Sequence, residues 1–391
     1  MNKIYETLKR NIEQANSVFI QEVIRQQPQN MNQFIQIPIT PFSNIHNIIV
    51  SKKETIVFSA DFKGIDPDLS WSENYIKNRR SEPLNAVYFN SEKVHTTRSI
   101  TKSIVGILLM NALKNSKEGL TITSPISEVF PELNNYRAVR ICDVLNMSIP
   151  MYWDEWRVPY SDPENPEYRM VSSTNPYFYS LEKLRDYLIE DGLCPDEYKK
   201  MVGEGSRYNS CMTALSAFMV ERLTGKDLEH YAKEVMFEPM KIDYVWDRLK
   251  YSGLASCSSG LRLSPNGMLK IAQSLLRDWL SNQGKKGAQD PLSLIRKFCI
   301  NTQGERLYKY RYGLHAWIVD LNFAERKDTF CMVCFTGVGG NVIAILPEEQ
   351  LIYVITGGNY TKLSIINTSP YSTIVKDFIL PGCGLTIRDP N

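Results

Sequence analysis

Residues 98–110 read Arg98-Ser99-Ile100-Thr101-Lys102-Ser103-Ile104-Val105-Gly106-Ile107-Leu108-Leu109-Met110. A serine and a lysine three positions apart stand on one face of a helix, about one turn from each other. The turns that follow are apolar on nearly every side, and a helix apolar all round is a buried one. Thr96 or Thr97 can cap its start, and the run extends to about Lys114. A buried lysine must be paired or perturbed. A serine hydroxyl is a poor nucleophile near neutral pH and needs a base close by. Lysine is such a base when burial or a neighbouring cation lowers its pKa. The spacing can therefore make a covalent catalyst without histidine, in a chain with four histidines.

The pattern occurs again as Ser180-Leu181-Glu182-Lys183. That copy opens a mixed charged stretch, Leu181 to Glu190, which reads as an exposed amphipathic helix with Ser180 as its N-cap. Spacing does not separate the copies; the apolar context of the first does.

Around this segment the chain has the composition of an ordinary globular protein. It has 391 residues, of which 43% are hydrophobic and 23% charged. That length holds a large core and two lobes. A net charge of +2 is too small to argue for nucleic acid or an anionic membrane. No basic cluster is interleaved with aromatics, which sets nucleic-acid binding aside. No run is long enough to span a bilayer. Met1 to Gln26 places Ile4, Leu8, Ile12, Ala15, Phe19 and Val23 at helical spacing among charges, an amphipathic helix and not a secretion signal. These features point to the cytoplasm. The eight cysteines show no disulfide framework, in keeping with a reducing compartment. Cys331-Met332-Val333-Cys334 has redox or zinc-like spacing, but it lies in an apolar strand-like run without a second pair and reads as structural. No metal or cofactor is expected.

Residues 27–43 read as a connecting arm. Strand-like runs follow at Ile45 to Val50 and Thr55 to Phe62, with Lys52-Lys53-Glu54 as the turn. Residues 63–95 read as irregular. Helical signals dominate from about residue 115 to 299, at Ala138 to Met147, Leu181 to Asp191, Met212 to Leu223, Leu228 to Val235 and Ser264 to Leu280. Ser148 to Tyr179 is long and aromatic; Trp153, Trp156, Tyr160, Tyr168, Tyr177 and Tyr179 line a substrate groove or pack an irregular lobe. Tyr312 to Leu321, Thr329 to Thr336, Val342 to Leu346 and Leu351 to Thr356 are β-rich, with Pro347 to Gln350 as a hairpin connection, and a helix-like run at Tyr371 to Leu380 closes the chain. Strands near both ends with helices between predict an α+β fold: one antiparallel sheet built from both termini, flanked by helices, beside a mainly helical inserted lobe.

Two further segments can complete a site. Arg207-Tyr208-Asn209-Ser210 precedes a helix, and Phe335-Thr336-Gly337-Val338-Gly339-Gly340-Asn341 joins two strands. Glycines serve a tight turn, and they also let a backbone approach a ligand and present N–H donors.

With these segments in place the chain resembles the serine β-lactamases and penicillin-binding proteins, whose signature includes Ser-x-x-Lys. The likeness is greatest to the class C-like branch, with its esterases, D-aminopeptidases and 6-aminohexanoate oligomer hydrolases, and it runs from about residue 85 to the C-terminus. Arg98 to Ser103 resembles the branch's R-S-x-T-K-S block. Glu118-Gly119-Leu120, Val129 to Leu133 and Ile141 to Met147 resemble the segments that follow, with Ser148-Ile149-Pro150 where Thr-Ser-Gly is usual. Tyr208-Asn209-Ser210 fills the place of Tyr-x-Asn, and Ser258-Ser259-Gly260-Leu261 resembles a segment before a core helix. Phe335-Thr336-Gly337-Val338 falls where Lys-Thr-Gly-Ser or His-x-Gly is usual. The missing cation at Phe335 argues against lactam recognition. Thr356 to Tyr360 and Phe378 to Pro381 resemble the closing strand and helix.

The resemblance implies a β-lactamase-like domain over residues 44–391, preceded by a helix and arm over 1–43. Its α/β part covers about 44–114 and 300–391, and its helical lobe about 115–299. It implies a serine hydrolase acting on an amide or ester, with Ser99 as nucleophile, Lys102 and Tyr208 as general base and acid, and the N–H groups of Ser99 and Val338 as oxyanion hole. Tyr160, Ser210, Thr336, Gly337 and Gly339 are the candidate substrate contacts. The partner is a small acyl substrate, with no nucleic acid or membrane; a homo-oligomer stays open. An acyltransferase or thioesterase of the same fold, or a non-catalytic binding descendant, are the alternatives. A Ser/His/Asp triad through His95 lacks the Gly-x-Ser-x-Gly elbow.

Overall fold

A computed structural model describes residues 3–70, 76–77, 84–136, 138–151, 153–155, 157–159, 162–190, 207–283, 285, 289–302, 310–360 and 372–388. Its centre is an antiparallel sheet. The strands are β1 (Ile45–Lys52), β2 (Thr55–Gly64), β3 (Val87–Phe89), β4 (Ile300–Asn301), β5 (Arg311–Gly313), β6 (Ala316–Asn322), β7 (Thr329–Gly337), β8 (Asn341–Leu346) and β9 (Leu351–Gly357). They lie in the order β3-β2-β1-β9-β8-β7-β6-β5-β4. The join between the two ends of the chain is β1 against β9, with Ile48 opposite Ile355 and Val50 opposite Tyr353. The expected sheet from both termini is therefore present.

Its middle strands carry apolar side chains on both faces, which is why they read as continuous hydrophobic runs. In β7, Val333 and Phe335 point to the helical side, while Met332 and Cys334 point to the other. Cys331 and Cys334 thus face opposite sides of one strand, a consequence of the two-residue period that leaves their spacing structural.

On the helical side lies α2 (Ile100–Lys114), nearly all of it buried. Gly106 permits this seat, since a Cβ there would stand 2.7 Å from the Leu314 carbonyl oxygen. The helices between β3 and β4 include α3 (Pro166–Val171), α4 (Pro176–Glu190), α5 (Ser210–Thr224), α6 (Pro265–Asn282) and α7 (Pro291–Phe298), of which α6 packs directly on β9, β8 and β1. On the other side α1 (Lys3–Gln26) lays Tyr5, Leu8 and Ile12 against β1, β2 and β9. Its buried face is Tyr5, Leu8, Ile12, Asn16, Phe19 and Val23, so Tyr5 and Asn16 replace the expected Ile4 and Ala15. Asn16 is buried because its amide donates to the carbonyls of Ile45 (2.7 Å) and Lys63 (2.9 Å). No helix among the described residues is long and apolar enough to cross a membrane.

Three expectations are corrected. Tyr312 to Leu321 is two strands, because Leu314 and His315 turn with φ of 50° and 64°. Ser180 is no N-cap. It lies inside α4, fully buried, with its hydroxyl on the Pro176 carbonyl at 2.9 Å. The stretch 63–95 contains short strands at Ile76–Lys77 and His95–Thr96 besides β3.

Candidate active site

The chain turns sharply before α2. Arg98 has φ of 49°, a conformation that costs a non-glycine residue energy. An ion pair with buried Asp68 and the ring of Tyr360, 5.5 Å from the guanidinium carbon, hold it there. Ser99 follows at the N-cap position, and its hydroxyl makes no capping bond. The threonines do not cap either. The Thr97 hydroxyl donates to the Leu261 carbonyl at 2.6 Å, and the Leu261 N–H donates to the Thr101 hydroxyl at 3.2 Å. This clamp fastens the Ser99 turn to the strand Leu261–Leu263, which pairs with His95–Thr96.

Lys102 lies one turn along, 3% exposed. Its ammonium donates to the Ser258 carbonyl at 3.1 Å and to Ser99 Oγ at 3.5 Å. Tyr208 comes from a different part of the chain, just ahead of α5, whose N-cap is Asn209. Its phenol lies near enough to Ser99 and Lys102 for both to act on its ionisation, and Lys102 Nζ lies 5.2 Å from its ring centre. The ring stacks on Trp317 at 5.7 Å and meets Tyr312 edge-on at 5.8 Å. The structure therefore brings together the hydroxyl, amine and phenol that the sequence singled out.

Their resting charge differs from the expectation of a lysine with lowered pKa. Burial works to lower the Lys102 ammonium, but the Tyr208 phenol and the carboxylates of Glu167 and Glu155 outweigh it and hold it above the usual lysine range. Burial pushes the Tyr208 phenol up, and the pull of Lys102 and the bond from Ser99 do not reverse that. The pair rests as ammonium and phenol.

The end of β7 closes the site. A Cβ on Gly337 would lie 2.1 Å from the Thr97 carbonyl oxygen, so only glycine lets this strand come so close to the Ser99 turn. Val338 follows, 39% exposed, with its carbonyl taking a bond from Asn341 Nδ2 at 3.0 Å. Phe335 is buried in the core and supplies nothing to the cleft. Thr336 is half-buried. Gly339 has φ of 102° and bridges to Asn359. Ser210 is fully buried, and its hydroxyl donates to Glu155 at 3.1 Å. Tyr160 and Trp156 lie outside the described residues. Of the other groove candidates, Tyr177 is packed in the core and Trp153 donates to Glu155 at 2.8 Å.

His95 is buried, and its hydrogen bonds go to groups other than Ser99. One ring nitrogen meets the Thr96 carbonyl at 2.8 Å, and the other meets His46 at 2.6 Å, so both are engaged. Glu155 and Glu167 escaped the sequence reading. They sit in an aromatic stretch without periodicity, and nothing local marks them as buried. No group of three or more His, Cys, Asp or Glu among the described residues is placed to hold a metal.

A family model described as Beta-lactamase matches residues 78–360. Among solved structures, a Bacillus anthracis protein described as a 6-aminohexanoate-dimer hydrolase superposes with a TM-score of 0.55 at 15% identity, over 83% of this chain and 76% of that one. EstCE1, described as a hydrolase with promiscuous acyltransferase activity, gives 0.59 at 10% identity over 94% and 98%. The D-amino acid amidase of Ochrobactrum anthropi SV3 gives 0.55 at 12% identity over 97% and 98%. At such identities the superpositions speak for the fold. No curated protein matches the sequence.

Proposed function

The chain belongs to the beta-lactamase family, and from that premise we propose that it is a serine hydrolase that cleaves an amide or ester through an acyl-enzyme on Ser99. The observation that carries this is the meeting of Ser99, Lys102 and Tyr208 at one point. The resting ammonium and phenol hold one proton too many for catalysis, so the pair first loses a proton to solvent. Ser99 Oγ then bonds to the carbonyl carbon, and its proton passes to the pair. The N–H groups of Ser99 and Val338 receive the oxyanion, a role for which the Val338 side chain is immaterial. Collapse breaks the bond to the leaving group, which takes the proton from the pair. Water, deprotonated by the same pair, then cleaves the ester. In this reading residues 44–391 form the hydrolase domain and 1–43 its helix and arm, and the partner is a small acyl substrate.

A fluorophosphonate probe with intact-mass readout tests the proposal. Wild type gains one adduct and Ser99→Ala none; an unlabelled wild type refutes it. A screen of p-nitrophenyl esters, short linear amides and nitrocefin refines it. Turnover of short-chain esters and little of nitrocefin is expected, because the position that would hold a lactam carboxylate carries a buried phenylalanine, Phe335. Alcohol acceptors that divert the acyl group from water would reassign the chain to acyl transfer.

A further inference from the structure

Glu155 is a buried carboxylate, 1% exposed, at the wall of the site. The loop that delivers it is fixed by Asn165, whose amide donates to the carbonyls of Glu155 (3.0 Å) and Val158 (3.0 Å). Its carboxylate receives three donors: Trp153 Nε1 at 2.8 Å, the Ser210 N–H at 2.8 Å and the Ser210 hydroxyl at 3.1 Å. Two of these come from the first residue of α5, two positions after Tyr208. The carboxylate therefore anchors the segment that presents the phenol, and it acts electrostatically on both members of the pair.

We propose that Glu155 is a positioning residue for the reaction, which seats Tyr208 through its two bonds to Ser210 and sets its carboxylate against the segment that carries the phenol. This rests on the hydrolase reading above. The titratable groups that feel this carboxylate are Lys102 from α2, Tyr208 and Cys211 around the start of α5, and Tyr312 from β5. Glu167 of α3 acts on Lys102 in the same sense. A negative charge favours ammonium over amine and phenol over phenolate, so it opposes loss of the proton whichever partner gives it up. The carboxylate thereby sets the pH at which Ser99 becomes reactive.

The test is the rate of fluorophosphonate labelling of the full chain as a function of pH. For wild type it rises with pH as the pair loses its proton. For Glu155→Gln, which keeps the shape and one acceptor oxygen, the rising limb moves to lower pH by on the order of one unit. Glu155→Asp retains the charge and keeps the wild-type limb even where its plateau is lower. Equal loss of plateau in both variants with an unmoved limb would reduce Glu155 to a packing role and overturn the proposal. Should Glu155→Gln fail to fold, Ser210→Ala, which removes the hydroxyl that ties Glu155 to the segment of Tyr208 and leaves the carboxylate in place, decides by the same profile. A lower plateau at an unmoved limb supports the seat through Ser210, and an unchanged plateau overturns it. Absence of any label on Ser99 would instead refute the hydrolase reading.

Discussion

The hydroxyl of Tyr208 is the atom on which the site turns, and its ring is anchored independently of it. Stacking on Trp317 and the edge contact with Tyr312 hold the ring, while Ser99 and Lys102 act on the hydroxyl. Tyr208→Phe is thus expected to fold with an unchanged melting temperature and to lose on the order of 10²–10⁴ in kcat on a p-nitrophenyl ester. A variant within a few-fold of wild type would show that the phenol moves no proton. The residues proposed for this chemistry were partly legible. Ser99 and Lys102 advertise themselves because three-residue spacing on an apolar helix is a local pattern. Glu155 was not legible, since its partner Ser210 lies 55 residues away and an acid in an aromatic loop looks like a solvated one.

At the scale of elements, the approach of β7 to the turn before α2 is the critical contact. Gly337 is required there by the Thr97 carbonyl and not by a positive φ. Gly337→Ala must push the strand end away from the nucleophile turn, and with it the Val338 N–H. The expected result is a loss of about 10²–10³ in kcat, the size found for one oxyanion donor, and about 1–3 kcal/mol of stability from overpacking. Turnover and thermal unfolding measured together check this, and an active alanine variant would remove Val338 from the oxyanion hole. The strands themselves were readable as apolar runs. The split between β5 and β6 was not, because Leu314 and His315 carry no glycine, proline or asparagine signal for their left-handed turn.

At the scale of the whole molecule, the buried histidines His46 and His315 couple folding to pH. Burial and the neighbouring His95 hold His46 well below the usual imidazole range, and burial with Lys102 nearby holds His315 at about 3. Both are therefore neutral in the folded chain, whereas the unfolded chain takes up protons around pH ~6.5. The folded state binds fewer protons, so these residues stabilise it above that pH, and the contribution is lost progressively as pH falls below it. The melting temperature is expected to fall from pH 7 to pH 5, with a shallower fall in His315→Gln, whose amide can still meet Ser216 Oγ, now 3.0 Å from the ring. Identical slopes in the two proteins would exclude His315 from that dependence. The sequence by itself determined the sheet shared by both ends of the chain and the Ser-x-x-Lys helix, because these follow from periodicities that neighbouring residues encode, while the β-lactamase-like class came from the resemblance of its ordered motifs to that family. Only the tertiary structure decided the charge state of the site, since the pKa values of Lys102 and Tyr208 depend on burial and on carboxylates that reach them through space from distant parts of the chain.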